Sequence, residues 1–169
     1  MTRIVGLTVG LMIIASLAVA AEPLMVQGVR EVGIGGLMDD DADGFGFKLN
    51  GRFGYFVVDG IEAGVYGDLG FRGSGNRNVD LGVFSEYNFD VGGAVVPHVG
   101  LGVGLGWSDR GSSHDTYMEL EAWGGLKYFF VDYAAFGLDA ALMYATEDVY
   151  DDYEHSFDWA FRFNTRWFF

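Results

Sequence analysis

The chain has 169 residues, with 10 Lys+Arg against 24 Asp+Glu for a formal net charge of -14. It lacks the clustered cations that phosphate neutralisation demands, which excludes nucleic acid as a partner. There are no Cys, so disulfide frameworks, thiolate metal sites and Cys nucleophiles are excluded too, and 27 Gly beside 15 Phe disfavour helix, where each interior Gly costs about 1 kcal/mol.

Residues 1–20 read as a secretory signal peptide. Arg3 supplies a cationic start, an apolar run follows to Leu17, and Ala18-Val19-Ala20 forms a small-x-small cleavage box. The apolar run is short for a hydrocarbon span of about 30 Å, so the expected mature chain is 21–169, one domain outside the cytoplasm. No later segment qualifies as a spanning helix; the best stretch, 126–145, holds Lys127, Asp132 and Asp139.

From Gly44 onward the residues alternate in character. Phe45, Phe47, Leu49, Phe53, Tyr55 and Val57 share one parity, while Lys48, Asn50, Arg52 and Gly54 take the other, the signature of a two-faced strand. Turn signals divide the chain into eight predicted strands near 26–38, 44–58, 61–72, 78–91, 94–108, 116–130, 134–146 and 156–169. Tight turns are expected at Asp59-Gly60, Gly92-Gly93 and 131–133, and longer polar links at 39–43, 73–77, 109–115 and 147–155. The pattern is an up-and-down antiparallel meander of eight strands.

Such a meander closes either as a soluble barrel with its apolar parity inward or as a membrane barrel with that parity outward. An eight-stranded barrel has room for only a modest set of interior side chains. Here the apolar parity carries Phe, Trp, Tyr, Leu and Val on nearly every strand. The other parity is narrow and charged: His98, Gly100, Gly102, Gly104 and Gly106 on the fifth strand, and Glu119, Glu121, Trp123 and Lys127 on the sixth. Aromatics bound the apolar set at both ends, Tyr55, Tyr87, Phe89, Tyr128, Phe130 and Trp167 at one, and Phe45, Phe71, Trp107, Tyr144 and Trp159 at the other. These are two interfacial girdles, and an all-β transmembrane barrel is expected.

With these features in place, the chain resembles the small outer-membrane β-barrel proteins of Gram-negative bacteria, the OmpA-like and OmpX-like eight-stranded barrels. The resemblance rests on the leader, on Val96-Pro97-His98-Val99-Gly100-Leu101-Gly102-Val103-Gly104, and on the alternating carboxyl end with Phe161, Phe163, Thr165, Trp167 and Phe169. It implies location in the outer membrane with both termini periplasmic and contact with its lipid and lipopolysaccharide. It also implies Phe163, Thr165, Trp167 and Phe169 as the signal read by the barrel-assembly machinery. A monomer is expected.

The candidate site is a lumen charge network of Lys48, Arg52, Glu86, Glu121, Lys127, Asp139, Arg162 and Arg166. Glu31, Glu62, Asp68, Asp80, Glu119, Asp158 and Arg72 share its parity. Buried charges need partners, and Arg52, Arg162 and Lys127 are expected to hold Glu86, Glu121 and Asp139. A plugged lumen with a structural or surface-interaction role leads, and a narrow pore for ions or small solutes is the alternative.

Asp39-x-Asp41-x-Asp43-Gly44 copies the first half of a calcium loop, making Asp39, Asp41 and Asp43 a candidate weak divalent site. The twelfth position is Asn50 rather than Glu, so a solvated acidic hairpin is the competing reading. Asp148, Asp151, Asp152, Glu154 and His155 form a second acidic cluster. No cofactor is expected. Ser112-Ser113-His114-Asp115 and His155-Ser156 set nucleophile and base types side by side without an oriented triad, and an enzyme, of which the lipid-modifying barrels are the relevant kind, is not expected.

Overall fold

Period-two alternation over eight segments closes into a single antiparallel ring. The computed structural model describes residues 21–41, 44–72, 77–110, 113–148 and 155–169. The strands are β1 (Arg30–Asp41), β2 (Gly44–Val58), β3 (Ile61–Arg72), β4 (Arg77–Asn88), β5 (Val95–Arg110), β6 (Ser113–Val131), β7 (Ala134–Ala145) and β8 (Phe157–Phe168). Each pairs with its sequence neighbours, and β8 returns to β1 through Glu31↔Phe168 to Gly36↔Phe163, so no sheet edge is left along the seam's lower half. At about 3.4 Å per residue a 12-residue strand is about 40 Å long. A tilt of about 40° leaves roughly 30 Å along the axis, enough for an apolar band of about 25 Å.

The side chains are inverted relative to a protein that folds in water. Leu101 is 67% exposed, and Val83, Leu120, Phe136 and Phe161 also point outward, while Glu31, Glu62, Lys127 and Arg166 are completely buried. Tyr55, Tyr87 and Trp167 ring the outside near the chain termini, and Trp107, Tyr144 and Trp159 ring the far end. Glycine lets the narrow interior hold bulky groups: a Cβ at Gly100 would collide with the Trp123 indole, and one at Gly54 would collide with the Glu62 carboxylate.

Several boundaries differ from those the sequence suggests. β1 begins at Arg30 rather than 26, because residues 21–29 leave the sheet and cross its mouth. Two of the far-end links shorten, while the β7–β8 link spans 146–156: β1 runs to Asp41 and pairs it with Gly44, and β5 and β6 run to Arg110 and Ser113. Polar residues suit strand ends that emerge into water, so the hairpins continue beyond the apolar band. The β4–β5 turn is longer, covering residues 89–94, with Gly92 and Gly93 both at positive φ. Bulges lie between Phe56 and Val58 and between Phe129 and Val131, so Val57 and Val58 both face out after Phe56 has turned in. Tyr128, expected in the girdle, is half-buried against the apolar cluster at that end, to which Ala21 and Met25 belong.

Candidate functional site in the barrel lumen

The lumen is built in layers, set by which inward positions fall at the same height. At the end bearing the chain termini, Phe56, Val96, Phe129 and Phe168 meet Ala94 and Ala135 in an apolar layer. β6 supplies Phe129, and two residues back along the same face it supplies Lys127. Lys127 opens the next layer, which is ionic.

In this ionic layer, Lys127 Nζ donates to Glu31 Oε2 at 2.8 Å and lies 2.7 Å from Glu86 Oε1. Arg166 reaches three acids: Nη1 donates to Glu31 Oε1 at 3.2 Å and to Glu86 Oε1 at 3.1 Å, and Nη2 to Asp139 Oδ2 at 3.0 Å. Its Nε donates to Asn164 Oδ1 at 2.7 Å, and Asn164 donates in turn to Asp139 at 2.8 Å. Arg52 Nη2 is 3.2 Å from Glu86, and its guanidinium lies 4.0 Å from the centre of the Phe84 ring. His98 sets Nε2 2.8 Å from Asp139, and Trp123 Nε1 donates to Glu86 Oε2 at 2.8 Å. Ion pairs this dry survive because each charge has several partners; a lone charge here would carry a large desolvation cost. Glu62 is the exception. It is fully buried, neither carboxylate oxygen accepts a hydrogen bond, and Lys127 Nζ stands 3.8 Å away.

Above the ionic layer, Tyr66, Phe84, Trp123 and Ala141 pack together, and Arg162 forms a two-pronged pair with Glu121, its Nη2 donating to Oε2 at 2.9 Å. A cavity of ≈ 20 Å³ lies among Asn50, Arg52, Tyr66, Glu121 and Arg162, room for about one water. Toward the far end Tyr117 donates to Asp80 Oδ1 at 2.6 Å, and Asn50 donates to Asp68.

The structure brings seven of the eight network residues into these two levels: Arg52, Glu86, Lys127, Asp139 and Arg166 in one, Glu121 and Arg162 in the next. Lys48 stands apart, across from Gly70 in register, where its charge acts on Asp80. Asp139 is held by Arg166 and His98 rather than by Arg52, Arg162 or Lys127. Glu31, Glu62 and His98 belong to the centre of the site; their parity marked them as inward, but nothing in a strand pattern marks which inward residues share a height.

Glu31, Glu62 and Glu86 place one oxygen each within 4.8 Å of one another. The position a metal would take there is already filled by the Lys127 ammonium, so the chain supplies its own cation. Asp43 and the side chains of Asp39 and Asp41 lie outside the described residues, as do Asp151, Asp152, Glu154 and Ser112. His114 pairs with Asp109 at 3.4 Å on the exposed far rim. Phe163, Trp167 and Phe169 point outward from β8 and the chain end, and Thr165 is half-buried beside them.

No family model and no curated protein matches the sequence. Among solved structures the chain is similar to the N-terminal β-barrel domain of Pseudomonas aeruginosa OprF, at 16% identity and a TM-score of 0.65, covering 85% of this chain and 98% of that one. It is similar to Neisserial surface protein A at 15% identity and a TM-score of 0.59, covering 82% and 94%. A de novo designed transmembrane β-barrel matches at 14% identity and a TM-score of 0.50, covering 85% and 97%. The fold is that of the small eight-stranded outer-membrane barrels.

Proposed function

We propose that this chain is a monomeric outer-membrane barrel, released from the leader 1–20, with both termini periplasmic and a lumen plugged by its own side chains. Its role is structural or surface-interacting rather than enzymatic. The observation that carries the reading is the continuous ionic layer, in which Glu31, Glu86, Asp139, Lys127 and Arg166 bond across the full width of the lumen. An even number of strands places both termini at one end, that of the tight turns at Asp59-Gly60 and Asp132-Tyr133, and the periplasmic assignment rests on short turns facing the periplasm in such barrels. Outer-membrane lipid and lipopolysaccharide would contact the apolar band, and the assembly machinery would read Phe163, Thr165, Trp167 and Phe169.

A planar-bilayer recording of the refolded protein tests the plug, with silence expected. The second reading, a narrow pore, draws on Asn50, Asp158 and Arg162, which are inward yet only half-buried, and on the cavity beside them. A stable open channel would put that reading first. Membrane fractionation and a heat-modifiable gel shift test location and barrel closure; a periplasmic monomer needing no detergent would refute both.

A further inference from the structure

The segment 21–29 is not a strand, yet it is firmly placed. Glu22 N donates to Asp132 Oδ1 at 2.8 Å and Leu24 N to Asp132 O at 3.1 Å, while Pro23 between them has no N–H to satisfy. At the next residue Gly60 N donates to Met25 O at 3.0 Å, and Gln27 N and Nε2 donate to Asp59 Oδ1 and Val57 O at 2.8 and 3.0 Å. Asp132 lies in the β6–β7 turn and Asp59 in the β2–β3 turn, four strands apart in a closed ring of eight. The two anchorages are therefore on opposite walls.

The crossing is made by two adjacent residues: Leu24 N is bonded to the Asp132 turn and Met25 O to the Gly60 turn, with Met25 N turned back onto Pro23 O at 3.0 Å.

The segment also fills what it crosses. Met25 and Ala21 are buried in the apolar layer, against the group formed by Phe56, Val96, Phe129 and Phe168. Both bulges lie at the walls where it is anchored, just beyond Phe56 and Phe129. It joins β1 through Gly28, whose φ of 95° lies in the left-handed region while a Cβ there would meet nothing within 4 Å. Glycine at this corner answers a backbone requirement, that of the turn closed by Val29 N donating to Val26 O at 3.2 Å, rather than a packing one.

We infer that residues 21–27 are a strap that seals the periplasmic end of the lumen against water. This rests on the orientation and the closed lumen proposed above. The side-chain anchors at Asp59, Asp132 and Gln27 are exposed, and inside the barrel the strap is held by Met25, Ala21 and the backbone bonds of Leu24 and Met25. Without the strap, water reaches Val96, and behind that residue Glu62 and Lys127.

The absence of Cys makes a direct test available. Val96→Cys gives a single thiol at a position 1% exposed. In lipid nanodiscs the mature chain carrying it should react slowly with a small, charged methanethiosulfonate. A chain lacking residues 21–26 should react at least tenfold faster while keeping its heat-modifiable shift. A second variant, D59A/D132A/M25S, keeps the strap and its backbone bonds but removes three of its side-chain holds, and should give an intermediate rate. Equal rates in folded chains with and without the strap would overturn the proposal, as would fast labelling of the intact chain. Conductance by the unaltered protein would overturn the closed-lumen reading instead, and the labelling ratio judges the strap separately.

Discussion

Arg166 and Arg162 are both lumen arginines on β8, four residues apart, but they differ in how much water they keep. Arg166 is fully buried and bonded to Glu31, Glu86 and Asp139, whereas the Arg162 side chain retains 19% exposure and, among the described residues, has Glu121 as its one acidic partner at salt-bridge distance. Removing Arg166 leaves three buried carboxylates short of a cation, so Arg166→Met should cost about 3 to 5 kcal/mol. Water can reach the Arg162 site, and Arg162→Met should cost about 1 to 2 kcal/mol. Urea unfolding in lipid vesicles, followed by the gel shift, measures both, and equal losses would show the two levels to be equally dry. Glu62 should behave in the opposite sense. Lys127 is already bonded to Glu31 and Glu86, and Glu62 adds a fourth carboxylate to a layer with three fixed cations, Arg52, Lys127 and Arg166. Glu62→Gln cannot bring a negative charge into the layer and offers an NH₂ to the neighbouring carboxylates, so stability should stay level or rise by about 1 kcal/mol. A loss above about 2 kcal/mol would mean that Glu62 anchors Lys127 after all.

Strands were the legible part of the sequence because one backbone rule, alternation, is written into every residue of them. Phe157, Trp159, Phe161, Phe163, Trp167 and Phe169 announce β8 and its outward face without any knowledge of β1 or β7. Pairing was not legible. Whether Asp139 meets Arg162 or Arg166 depends on the stagger of β7 on β8, where Asp139 sits directly across from Arg162 yet bonds the residue four positions further along. The strap was missed for a related reason: residues 26–29 have the apolar content of a strand, and the positive φ of Gly28 that ends any such reading is not written in its neighbours. The glycine alternation on β5 carries a prediction of its own. Gly100 gives its space to the Trp123 ring, which donates to Glu86, whereas a Cβ at Gly102 would stand 3.2 Å from Tyr66 and 3.3 Å from Trp123. Gly100→Ala must move the indole and break that bond, at a cost of about 2 to 3 kcal/mol, while Gly102→Ala should cost about 1 kcal/mol. Tryptophan fluorescence of the folded barrel should shift in the first variant and hold in the second.

At the scale of the whole molecule the governing quantity is depth in the apolar slab. The inversion of the fold is stable only where hydrocarbon replaces water, so the outward residues should respond to charge by height and not by residue type. Leu101 lies in mid-strand between Ser85 and Ala122, at 67% exposure, while Phe157 opens β8 at the far end, at 56%. The two are comparably exposed, and in water an arginine would suit either site equally well. In a bilayer Leu101→Arg places a cation near the midplane and should cost about 2 to 4 kcal/mol, whereas at Phe157 the guanidinium reaches the interface and Phe157→Arg should cost about 0 to 1 kcal/mol. Reversible unfolding from vesicles reads the difference directly. Repeating the pair in vesicles with shorter acyl chains should narrow the gap, because thinning the slab brings Leu101 closer to water. If both substitutions cost the same in every lipid, the outward face does not sit in a hydrocarbon layer centred on Leu101, and the assignment of the apolar band must move along the barrel.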